Sequence, residues 1–150
     1  MNSRTILLTL HLISVTEWLG ADILQYALTP RLDRESPAVA VAWSRQEYWL
    51  HDRYYAVIAV LILATGIGLV IDGDWSWSGW FIWVGIGAIV GGATLGGGGL
   101  RSLAKRRVAA YESGDVAGAA AVRRKGFPLQ LVVTAIPVVT VLAMVKRWHA

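Results

Sequence analysis

Hydrophobic and polar positions divide this chain into four apolar blocks separated by polar or charged segments. The blocks cover about residues 6–28, 54–71, 79–98 and 127–145. Each block is close to the roughly 20 residues that cross a bilayer as an α-helix. The pattern therefore predicts one domain over residues 1–150, an all-α integral membrane protein built as a bundle of four transmembrane helices.

The first block carries polar residues that a membrane span does not require. On a helical wheel with about 100° per residue, one narrow stripe collects most of them. Its members are Arg4, His11, Ser14, Trp18, Asp22, Gln25 and Thr29. Glu17 lies about 120° away from the stripe and near the middle of the span. A carboxylate at mid-span costs roughly 2.5–3.5 kcal/mol, so we expect the stripe to line the bundle interior or a hydrated cavity.

The distribution of Lys and Arg predicts how the bundle is oriented. The basic residues concentrate in segments 29–53 and 99–126, whereas the 72–78 turn has none. By the positive-inside rule, both segments face the cytoplasm of a bacterium and both termini face outward from its inner membrane. We expect these basic faces to contact anionic lipid head groups and not nucleic acid.

The segments beyond the first span predict several local features. Segment 99–126 is expected to form a cytoplasmic loop of two short helices, broken at 113–115 and capped by Asp115. Pro128 suits the first turn of the fourth helix, and Pro137 is expected to kink it. The Trp-rich turn is typical of an interfacial belt, and the third span has small-xxx-small spacings such as Gly87–Gly91 and Gly92–Gly96. This glycine face predicts close packing within the chain or against another subunit, as a homo- or hetero-oligomer.

Candidate cofactor chemistry centres on His11. The chain has no cysteine and three histidines, and the predicted topology puts His51 on the opposite side from His11. A heme or copper(I) ion held by His11 would therefore take a second ligand from Met144 or His149. The other interpretation is a buried structural histidine that is hydrogen-bonded to a neighbouring helix. Arg31 and Lys146 either extend to head groups or bind a carboxylate such as a porphyrin propionate.

Three stretches resemble a known superfamily. HLISVTEWLGADILQYALTPRL is similar to the first span of HemJ-type protoporphyrinogen oxidases, which share a superfamily with copper-resistance protein D (CopD). The matching residues are His11, Trp18, Gly20, Tyr26, Pro30 and Arg31. RYYAVIAVLILATGIGLV and PVVTVLAMVKRW resemble the second and closing spans of that family. The resemblance implies heme b with His11 as its axial ligand, propionates held by Arg31 and Lys146, and oxidation of protoporphyrinogen as the family reaction.

These observations favour a small polytopic membrane protein with a His11-centred site for heme or a metal, in a redox or porphyrin-handling role. The alternative is a non-catalytic accessory or assembly subunit of a larger respiratory or photosynthetic complex. A third hypothesis is a proton or ion channel lined by His11, Glu17 and Asp22. The sequence itself assigns neither a reaction nor a substrate.

Overall fold

Four long helical rods make up the part of the chain that the structure, a computed structural model, describes: residues 2–146. The α-helices are α1 (Ser3–Leu32), α2 (Pro37–Trp49), α3 (Tyr55–Asp72), α4 (Trp80–Gly92), α5 (Arg101–Glu112) and α6 (Val116–Lys146). A π-helical segment, Leu50–Tyr54, joins α2 to α3, and a second, Ala93–Leu100, joins α4 to α5. Each of the four rods is long and apolar enough to cross a membrane.

Side-chain caps define the ends of several helices. Asn2 accepts a hydrogen bond from the backbone N–H of Thr5 at 2.9 Å, which starts α1. Ser36 accepts from the N–H of Val39 at 3.3 Å, and Pro37 occupies the first turn of α2. The predicted cap at Asp115 is confirmed, because its Oδ1 accepts from the N–H of Gly118 at 2.8 Å. The interruption between the two helices at 113–115 is therefore at the predicted position.

The helices extend further than the apolar blocks, and the expectation that Pro128 lies in the first turn of a helix is wrong. Segment 29–53 is helical except for a short turn after Leu32, and the two helices of segment 99–126 are continuations of the third and fourth rods. Pro128 consequently lies inside α6 and not in its first turn. An apolar block ends where charged residues begin, but the helix can continue beyond it because Ala, Leu, Arg and Lys all have high helix propensity.

The two ends of the bundle differ in their connections. The hairpin end contains the α3–α4 turn together with the start of α1 and the end of α6, and the loop end contains the α1–α2 and α5–α6 turns. α1 packs chiefly on α3 and α4 on α6, while α2 and α6 both pack on α5. The central hydrophobic cluster of the bundle consists of the buried residues Trp18, Ile58, Ile62, Leu100 and Val133.

Candidate functional site

The interior face of α1 is the one predicted from the helical wheel. Its buried residues are His11, Ser14, Trp18, Asp22, Gln25 and Thr29. Arg4, at the start of the helix, is exposed and lies over the ring of Trp75. Glu17 is exposed on another face and accepts a hydrogen bond from the hydroxyl of Tyr54 at 2.7 Å. The predicted burial of the stripe is thus confirmed from His11 to Thr29.

His11 is 8% exposed and is held from the neighbouring helix α3. Its Nδ1 lies 2.9 Å from Oγ1 of Thr65, and that hydroxyl donates to the carbonyl oxygen of Leu61 at 2.6 Å. The Leu61 carbonyl oxygen is nearer to the Thr65 hydroxyl than Nδ1 of His11 is, which favours Nδ1 as the donor to Thr65. Gly66 makes room for the ring, since a Cβ there would lie 3.4 Å from Cε1 of His11.

A cavity of about 270 Å³ lies beside His11 at the hairpin end. We call it the His11 cavity; α1, α3, α4 and α6 enclose it, and its walls include Trp18, Ile86, Pro137 and Met144. His11 is the one ionisable side chain that lines it within residues 2–146. Its volume is just below the roughly 300–1,000 Å³ of pockets that hold drug-sized ligands. The cavity is therefore suited to an apolar ligand with one polar attachment point.

The other predicted cofactor residues are placed differently around this cavity. Met144 lines it, and a Cβ at Gly85 would lie 3.1 Å from Cε of Met144. Lys146 is exposed, two residues further along α6. Arg31 is exposed at the opposite end of α1, about 30 Å along the axis from His11 at 1.5 Å per residue. His149, the other predicted second ligand, lies outside the described residues.

Asp22 is the centre of a second polar group, nearer the loop end. It is 3% exposed and accepts hydrogen bonds from the hydroxyls of Tyr55 at 2.5 Å and Thr134 at 2.9 Å. Gln25 donates to the Tyr55 oxygen at 2.7 Å. Ser14, the remaining polar residue of the stripe, bonds the carbonyl of Leu10 in its own helix at 2.9 Å. The stripe therefore serves two separate regions, one at His11 and one at Asp22.

A buried ionic network near the loop end is the feature that sequence reasoning missed. Arg107 is 5% exposed and pairs with Glu47 and Asp33. Arg123 also reaches Asp33 at 3.2 Å, and the Thr29 hydroxyl donates to Glu47 at 2.5 Å. The network links α1, α2, α5 and α6, whereas the sequence predicts that the basic residues of segment 99–126 lie on the surface. Arg107 carried no distinguishing signal among its basic neighbours.

The glycines of the third rod are divided between the interior and the outside. A Cβ at Gly92 would lie 3.1 Å from Cη2 of Trp18, so this glycine allows the indole to pack against α4. Gly91 and Gly96 face Ile136 and Val133 of α6 at 3.9 Å, whereas a Cβ at Gly87 would meet nothing within 4 Å. Most of the predicted small-residue contacts are therefore made within the chain.

Within residues 2–146, the donors at this cavity that could ligate a heme or a metal are the His11 imidazole and the Met144 thioether. Within residues 2–146 no group of three or more His, Asp or Glu side chains is placed to hold a metal ion. Heme needs only one or two axial ligands from the protein, because its ring supplies the others. A ligating histidine also usually donates its second ring N–H to a fixed partner, as Nδ1 of His11 does to Thr65. The cavity volume of about 270 Å³ is below the roughly 300–1,000 Å³ of pockets for drug-sized ligands, so a complete porphyrin would need the cavity to widen.

Comparison of the chain with protein-family models, curated proteins and solved structures finds no significant match.

Proposed function

We propose that this protein binds a flat apolar cofactor, heme b by preference, in the His11 cavity and has a redox or porphyrin-handling role. The observation that carries the proposal is the orientation of His11. Its Nδ1 contacts Thr65 and its side chain lines an apolar cavity of about 270 Å³, so Nε2 would be the ligand atom. Heme held there would supply one-electron chemistry inside a membrane.

The proposal assigns different tasks to the residues of the cavity. His11 would ligate the heme iron, and Thr65 would be a positioning residue that fixes the tautomer and the plane of the imidazole. Met144 lines the same cavity and is the candidate second ligand, while Trp18 forms the end wall towards the loop end. Lys146 follows Val145, which lines the cavity, and is placed to meet a propionate. Arg31 is about 30 Å from His11 along α1 and is assigned no part in this site.

The experiment is an absorption spectrum of the protein purified in mild detergent, oxidised and reduced with dithionite, together with metal analysis. We expect a Soret band that shifts on reduction and is lost in His11→Ala. Met144→Leu should retain the heme but change its spectrum, because it removes the thioether that is the candidate second ligand. Ser14→Ala is the matched control: Ser14 is buried on the same face of α1, bonds only its own helix and does not line the cavity.

A colourless and metal-free preparation would overturn the cofactor proposal. If that preparation also co-purified in stoichiometric amounts with a larger respiratory or photosynthetic complex, the accessory-subunit hypothesis would replace it. A Soret band that persisted in His11→Ala would show that the heme is held elsewhere. If Ser14→Ala keeps the Soret band, its loss in His11→Ala is due to loss of the ligand and not to a general effect of substitutions on this face of α1.

We also propose that the protein is a multi-pass protein of the bacterial inner membrane with both termini on the outer face. The four long apolar rods support membrane insertion, and the concentration of Lys and Arg at the loop end supports a cytoplasmic position for that end. Exposed basic residues there, such as Arg34, Lys105 and Arg124, are placed to contact anionic head groups. Labelling of single cysteines at Ser78 and Ser113, from either side of sealed vesicles, tests this orientation.

A further inference from the structure

A second pocket, of about 160 Å³, lies on the loop-end side of Trp18. We call it the Asp22 pocket. Its polar wall consists of Asp22, His51, Asp52, Tyr55 and Arg101, and Trp18 lines both this pocket and the His11 cavity. The two spaces are therefore neighbours that share one indole ring as a wall. The Asp22 pocket has charged residues in its lining, whereas His11 is the one ionisable residue that lines the His11 cavity within residues 2–146.

The pocket exists because two π-helical segments meet at the same level of the bundle. Leu50–Tyr54 contributes His51 and Asp52, and Ala93–Leu100 contributes Gly96 and Gly97. A π-helical turn is rare, is wider than an α-helical turn and is frequent at functional sites. The two glycines add no side chains to fill the space. The two π-helical segments therefore leave an opening beside the buried carboxylate of Asp22.

The elements packed around Asp22 present two hydroxyls, one imidazole and one ion pair. α3 presents Tyr55, whose hydroxyl donates to Asp22 at 2.5 Å, and α6 presents Thr134, which donates at 2.9 Å. The first π-helical segment presents His51, stacked on Tyr55 at 5.3 Å between ring centroids, and Asp52. α5 presents Arg101, and α4 with the second π-helical segment presents only glycine and alanine to the pocket.

The exposed side of the pocket includes Arg101 and Asp52. Arg101 and Asp52 form an ion pair at 2.6 Å, and their side chains are 52% and 19% exposed. The helical stretch from Trp80 to Leu100 is roughly 30 Å long at 1.5 Å per residue, about the thickness of a bilayer core. Arg101 follows it directly, so the ion pair is at the level of the head groups. Water at the loop end can thus reach the rim of the pocket.

We propose that the Asp22 pocket is a hydrated half-channel that carries protons between the loop-end surface and the Asp22 carboxylate. Its volume has room for about five waters at roughly 30 Å³ each. In the forward step a hydronium ion gives its proton to the carboxylate, which leaves neutral Asp22 and water, and the reverse step returns the proton. The buried side chains of Trp18, Ile58 and Val133 end the proton path before it reaches the His11 cavity. This inference does not depend on what His11 binds.

Hydration is tested by cysteine labelling, for which the absence of native cysteine leaves a clean background. Ala93 and Thr94 are adjacent and both exposed, but only Ala93 lines the pocket. With a charged thiosulfonate reagent, Ala93→Cys should react at least about tenfold faster than Thr94→Cys, because thiols react as thiolates and thiolates are disfavoured in hydrocarbon. Equal rates would overturn the proposal.

The side of entry is tested with the same reagent on sealed vesicles. Ser113→Cys reports the loop end and Ser78→Cys the hairpin end, since both residues are exposed in turns. Ala93→Cys should be labelled from the side that labels Ser113→Cys. Labelling from the side of Ser78→Cys would place the entrance at the wrong end and contradict a half-channel from the loop end.

Proton binding is tested by infrared difference spectra recorded across a pH titration. We expect a band of a protonated carboxyl group that appears and disappears with pH, is lost in Asp22→Asn and persists in Asp52→Asn. Tyr55→Phe should move the midpoint of that band, because it removes a donor to Asp22. Identical spectra for the unmodified protein and a folded Asp22→Asn variant would show that Asp22 exchanges no proton. If Asp22→Asn did not fold, an unmoved midpoint in Tyr55→Phe would overturn the proposal equally.

Discussion

The two ends of the bundle bury polar groups in opposite ways. At the hairpin end, His11 makes one hydrogen bond to a neighbouring helix and otherwise borders apolar space. At the loop end, Arg107 joins Glu47 and Asp33 in a network that links four helices. An unfilled apolar space gives up packing contacts, whereas a buried ionic network ties its helices together. We therefore expect the loop end to contribute more to the stability of the fold than the hairpin end.

The largest effect is expected at Arg107. Arg107→Met removes the cation that compensates two buried or nearly buried carboxylates, Glu47 and Asp33. Breaking a buried ion pair in this way should lower the free energy of unfolding by about 3–5 kcal/mol, measured by denaturant titration in mild detergent. Arg106→Met, at an exposed neighbouring position, should change it by less than about 0.5 kcal/mol. Similar losses in the two variants would show that the network is not what fixes the loop end.

A smaller but still large effect is expected at Tyr55. Tyr55→Phe removes the 2.5 Å hydrogen bond to buried Asp22 and the acceptor for Gln25. Hydrogen bonds to charged groups contribute about 1.5–3 kcal/mol, so a loss in this range is expected in the same titration. A loss below about 0.5 kcal/mol, the size typical of surface substitutions, would contradict the assignment of Asp22 to the interior.

At the hairpin end a modest effect is expected from Thr65. Thr65→Val removes the partner of Nδ1 of His11 and should cost about 1 kcal/mol, the usual net value of one hydrogen bond. Thr65→Ser keeps the hydroxyl and should restore most of the loss. A cost as large as that of Arg107→Met would mean that the hairpin end contributes as much to the fold as the loop end.

The smallest effect is expected at the surface of the loop end. Arg45 and Glu112 form an ion pair at 2.7 Å, with side chains 62% and 45% exposed. Arg45→Ala should lower the free energy of unfolding by at most about 0.5 kcal/mol, and by less at high salt, because water and ions screen exposed charges. A salt-independent loss above that value would show that the pair is effectively buried.

The sequence by itself determined the number of long apolar helices and the interior face of the first one. Both follow from local rules: about 20 apolar residues suffice to cross a bilayer, and a helix repeats every 3.6 residues. The stripe from His11 to Thr29 could therefore be placed correctly before any neighbouring helix was known. The helix break capped by Asp115 is local for the same reason.

Tertiary structure alone decided the partners of these residues. Thr65 for His11, and Tyr55 with Thr134 for Asp22, lie 33 to 112 positions away in the chain and on helices whose relative rotation hydropathy does not encode. Arg107 is buried and Arg106 is exposed, although they are adjacent and chemically identical. A single helix can show which of its faces is polar, but only the packing of several helices determines whether that face meets a cavity, a hydroxyl or a counter-ion.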